Sequence, residues 1–154
     1  MDRRKIWFFG SIIVAFSSII LLITGSSLLT MALDKSNSVP FGTFITWAGL
    51  ISLPVSAYLG VKELRIPTKT FNKMLAGFLK ILIILAILWV PLSYLLAGNL
   101  SFSFSEKESF QGGQTAMKWF WGLSYGIGTG AVLTVFMYWI SLLFKEKETV
   151  ENKL

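Results

Sequence analysis

The chain has no cysteine and no histidine, and only 14% of its 154 residues are charged. Without cysteine, disulfides, iron–sulfur clusters, thiol catalysis and a cysteine-linked lipid anchor are all excluded. Without histidine, the usual haem and zinc ligand and the commonest general base are missing. No Walker, glycine-phosphate, Ser–His or paired-carboxylate pattern occurs, so the sequence offers no catalytic residue, no cofactor site and no metal site, and an enzyme is not expected. An average soluble domain carries roughly 25% charge, so this chain has little more than half the usual share.

The few charges are also segregated. From Lys5 to Asp34 there are 28 uncharged residues in a row, and from Lys118 to Lys145 another 26. About 20 apolar helical residues cross a bilayer core. The expected fold is therefore all-α: an integral membrane protein, one domain over residues 1–154, built as a four-transmembrane-helix bundle. The spans read as 6–33, 41–61, 74–97 and 119–144. The first apolar run is too long for the h-region of a secretory signal, and no small-x-small cleavage pattern follows it. Pro54 should kink the second span and Pro91 the third, each by removing a backbone donor.

Orientation follows from the basic residues. Arg3, Arg4 and Lys5 precede span one; Lys62, Arg65, Lys69 and Lys73 lie between spans two and three; Lys145, Lys147 and Lys153 follow span four. The other two loops hold only Lys35, Lys107 and Lys118. Ten against three places both termini in the cytoplasm of a cell (cytoplasmic or inner) membrane. The net charge of +6 is then read as basic loops facing anionic lipid, and no nucleic-acid partner is implied. Trp7, Phe8, Phe9, Tyr138 and Trp139 at one interface, and Trp119, Phe120 and Trp121 at the other, suit aromatic belts.

Two rows of small residues stand out. Gly122, Gly126 and Gly130 recur every four residues in span four, a glycine zipper continued by Thr134. Ala48, Ser52, Ser56 and Gly60 do the same in span two. Small residues let helix backbones approach closely in lipid, where no hydrophobic drive exists between helices. The two spans run parallel, so the expectation is row against row inside the bundle, with Gly126 at the centre; self-association or docking to another subunit is the competing use. The run Ser-Tyr-Gly-Ile-Gly-Thr-Gly is not a potassium filter, because it sits at helical spacing within an uninterrupted span.

Lys80 is the only charge inside a span. It lies seven residues beyond Lys73 on one helix face, and with Lys69 the three read as lipid-headgroup contacts, Lys80 snorkelling. No Asp or Glu occurs in any span to pair with it or to couple a proton or sodium ion. Hydroxyls such as Ser17, Ser18, Thr24, Ser52 and Ser56 can bond across helices or back to their own backbone. In the loop after span three, the alternation of Phe102 and Phe104 with serine suits a short extended segment at the interface.

The function that fits is a non-catalytic accessory subunit that packs with, and stabilises or assembles, a larger membrane complex. Its partners would be membrane lipids and other integral membrane subunits, or copies of itself. The alternatives are a small immunity-type or regulatory protein acting on a membrane pore, and a homo-oligomeric small transporter or channel.

Overall fold

In a computed structural model the chain is helical. The structure describes residues 2–33, 39–100, 110 and 112–151, with side chains as far as 143. Among the described residues there is no strand, only an isolated bridge between Ala32 and Pro40. The helices are α1 (Arg3–Thr24), α2 (Phe41–Gly60), α3 (Lys62–Arg65), α4 (Thr70–Ile87), α5 (Trp89–Ala97) and α6 (Gly113–Glu151). Four of them, α1, α2, α4 and α6, are long and apolar enough to cross a membrane. The expected number of spans is therefore present, while three of the four boundaries differ from those read in the sequence.

Span one stops nine residues before the expected Leu33. Asp2 caps its start by accepting from the Arg4 amide at 3.3 Å. At its end Gly25 turns into the left-handed region (φ 60°, ψ 38°), and the Gly25 and Ser26 amides reach back to Leu22 and Leu21. Glycine adopts that conformation without a Cβ penalty, which closes the helix although the following residues stay apolar. A single 3₁₀ turn follows at Ser27–Leu29. The Leu33 amide then donates to Val39 and the Phe41 amide to Met31, leading the chain into α2.

Span three is two helices, not one. Proline at 91 has no N–H for the carbonyl of Ile87, four residues earlier. The helix breaks at Leu88, and α5 restarts at Trp89. The Trp47 indole of α2 supplies the missing donor, reaching Ala86 O at 3.0 Å and Ile87 O at 3.2 Å. Pro54, by contrast, lies buried within α2, which continues through it as one helix. Span four is longer than read: α6 starts at Gly113, six residues before Trp119, and runs past Phe144 to Glu151.

Packing centres on α2, which touches α1, α4, α5 and α6. One core cluster joins Ala86, Trp89 and Ala97 to Phe120 and Ile127; a second joins Leu64, Leu79 and Leu82 to Ala131 and Tyr138. Polar ties cross these contacts. Trp89 Nε1 donates to Ser124 Oγ at 2.8 Å, the Thr43 hydroxyl to Leu100 O at 2.8 Å, and the Tyr138 hydroxyl to Glu63 at 2.8 Å. Two expected belt residues are thus core residues: Phe120 and Tyr138 are buried, while Trp7, Trp119 and Trp139 are exposed. Helix α1 is the exception to the close packing. Among the described residues it packs on α2 and on the turn that follows it, and touches no other helix.

Candidate functional site

Helix α6 faces its neighbours with Ala116, Phe120, Ser124, Ile127, Ala131, Thr134 and Tyr138. These steps of four and three keep pace with 3.6 residues per turn. The glycine row does not. A strict step of four advances about 40° each time, so Gly130 lies about 80° around the helix from Gly122. Only its inner end reaches the core. A Cβ on Gly130 would lie 3.0 Å from Leu82 Cδ1 and 3.5 Å from Phe78 Cε1, both on α4. Gly122 and Gly126 are exposed, and a Cβ on either meets nothing within 4 Å.

The row in span two is divided in the same way. Ala48 and Ser56 are half-buried and Ser52 is buried. Ser56 donates to its own backbone at Leu53 O, 2.8 Å away, and Thr24 likewise to Ile20 O. A Cβ on Gly60 would lie 2.6 Å from Phe8 Cε2, so this glycine admits α1, not α6. The expected row-against-row contact of spans two and four is therefore not formed. Helix α1 also comes close to α2 at Gly49, where a Cβ would lie 2.7 Å from Ser18 Cβ. Gly49 is one residue off the Ala48 row, and no regular spacing marks it in the sequence.

Among the described residues α1 packs on α2 and on no other helix, and a cleft of about 630 Å³ opens between α1 and α6. Ser18 and Leu22 form one wall, Gly128, Thr129 and Val132 the other, and Thr46, Gly49 and Leu53 the floor. Among the described residues its lining is apolar or hydroxylic, with no Asp, Glu, Lys or Arg. Two of its hydroxyls are spoken for: Thr129 donates to Tyr125 O at 2.6 Å, and Ser124 donates to Phe120 O while accepting from Trp89. Thr46 Oγ1 is buried without a hydrogen-bond partner. Such a cleft can pack a helix and offer it one hydroxyl; it presents no acid–base pair for chemistry.

The lysines sit apart from this cleft. Lys69, Lys73 and Lys80 are all exposed on α4 or at its start. Lys35, Lys107 and Lys153, the side chains of Lys145 and Lys147, and the Phe102–Phe104 alternation lie outside the described residues. Among the described residues, no group of three or more Asp or Glu side chains is placed to hold a metal. Comparison with protein-family models, curated proteins and solved structures finds no match to this chain.

Proposed function

We propose that the protein is a non-catalytic integral membrane subunit whose α1–α6 cleft receives a transmembrane helix of a partner, stabilising a larger complex. The observation that carries this reading is the cleft itself: among the described residues α1 packs on α2 and on no other helix, and the gap beside it is lined by Gly128, where a Cβ would meet nothing within 4 Å, and by Thr46 and Thr129. Glycines at a helix surface serve close backbone approach, and a hydroxyl in lipid serves an interhelical hydrogen bond. An acyl chain needs neither. Gly122 and Gly126 continue the outward small-residue surface of α6 beyond the cleft.

In this reading both termini face the cytoplasm of a cell (inner) membrane, as the basic loops direct, and Lys69, Lys73 and Lys80 anchor α4 to headgroups. Purification in a mild detergent tests the proposal. The expected result is recovery with a second integral membrane protein in fixed stoichiometry, reduced when Gly128 is replaced by Ile. A lone homo-oligomer would overturn it in favour of a small transporter or channel. Protection of expressing cells against a pore-forming toxin would instead favour the immunity-type reading.

A further inference from the structure

A second cavity, of about 400 Å³, lies at the end of the α1–α2 seam that carries the N-terminus. Arg4 and Lys5 reach it from the first turn of α1, Lys62 and Arg65 from α3 just beyond α2. Phe8 and Leu59 give it an apolar wall. Among the described residues no carboxylate lines it. Asp2 stands 3.8 Å from Arg4 Nε, but both side chains are about half exposed, where such a pair contributes little. Glu63, between the two α3 cations, accepts from Tyr138 on α6 and is not part of the cavity wall. Arg65 Nε is buried without a hydrogen-bond acceptor. A guanidinium keeps its charge at any ordinary pH, so a buried donor of this kind is costly until an anion meets it.

From this geometry we infer that the cavity is a binding site for the phosphodiester of an anionic glycerophospholipid. The four cations and the orphaned Arg65 donor match phosphate oxygens. The apolar wall and the exposed outer face of α1 beyond it, at Ile12, Ile13 and Phe16, provide a path for acyl chains that a soluble phosphate would not use. Charges focused in a cavity between helices hold a headgroup more tightly than the same charges spread over a surface. The site is independent of the α1–α6 cleft and stands whether or not a partner fills it.

The test is native mass spectrometry of the full chain released from detergent containing equal amounts of phosphatidylglycerol and phosphatidylcholine. Wild type should retain phosphatidylglycerol preferentially. The R4Q/K62Q double variant alters only exposed side chains and should fold; each lost cation should weaken retention about fivefold. R65Q should weaken it as well. The K118Q variant removes an exposed cation twenty residues before Tyr138 on α6, remote from α3, and should leave retention unchanged. A loss in K118Q equal to that in R4Q alone would overturn the proposal, since diffuse surface charge would then suffice. So would equal retention of the two lipids by wild type. Displacement of the lipid by millimolar glycerol 3-phosphate would mean that the cavity takes a soluble phosphate, and would overturn the lipid assignment.

Discussion

Trp47 shows how one side chain decides where a span breaks. Its indole N–H is shared between the carbonyls of Ala86 and Ile87, and the second of these is the one that Pro91 leaves without a helical donor. In hydrocarbon an unsatisfied carbonyl has no water to turn to, so the donor must come from protein. Replacing Trp47 by Phe should cost about 1–3 kcal/mol, the penalty for an acceptor left unpaired away from water. Pro91→Ala restores an amide at the right place. The Trp47→Phe penalty should therefore shrink by about 1 kcal/mol in the Pro91→Ala background. Denaturant or thermal unfolding in detergent, run as a double-mutant cycle, checks this; equal penalties in both backgrounds would disprove the substitution of one donor for the other. In the sequence Pro91 read as a kink within one span, not as its break. The donor that completes the break comes from 44 residues away and leaves no local signal.

At the scale of elements, α6 reverses an expectation drawn from spacing alone. Gly126, the centre of the glycine row, faces outward, whereas Gly130 at its end is pressed against Leu82. Gly130→Ile should destabilise the isolated chain by about 1–3 kcal/mol through overpacking. Gly126→Ile should leave the isolated chain nearly unchanged and act, if at all, on partner retention. Melting in detergent separates the two, and a larger loss for Gly126→Ile would restore the row as an internal contact. The physical reason is angular drift: a step of four is not a helical repeat, so a long row cannot stay on one face. The buried stripe from Ala116 to Tyr138 alternates steps of four and three, and mixes Phe and Ile with Ser, Ala and Thr. In a helix that is apolar all round, that stripe has no polar opposite face to reveal it. Hydrophobic length was enough to find four spans; it was not enough to end α1, where Gly25 stops the helix inside an apolar run.

For the whole molecule, charge and packing address different questions. On the orientation we propose from the ten-to-three division of basic residues, reporters fused after Ser38 or within residues 101–105 should report outside, those after Thr68 or Leu154 inside. An outside signal at Leu154 would require an odd number of spans. The arrangement of helices was not available from composition or periodicity, because every span is apolar enough to face either lipid or protein. That α1, among the described residues, packs on α2 and on no other helix is a property of the packed chain, and a cleft opens beside it at α6. Site-specific photo-crosslinking in the native membrane tests the cleft most directly. A photoreactive residue at Val132, in the cleft wall, should capture another integral membrane protein, while one at Leu95, 78% exposed on α5, should capture none. Capture of a protein from Leu95 and not from Val132, or of lipid alone from both, would contradict the proposal that this cleft is where a partner helix docks.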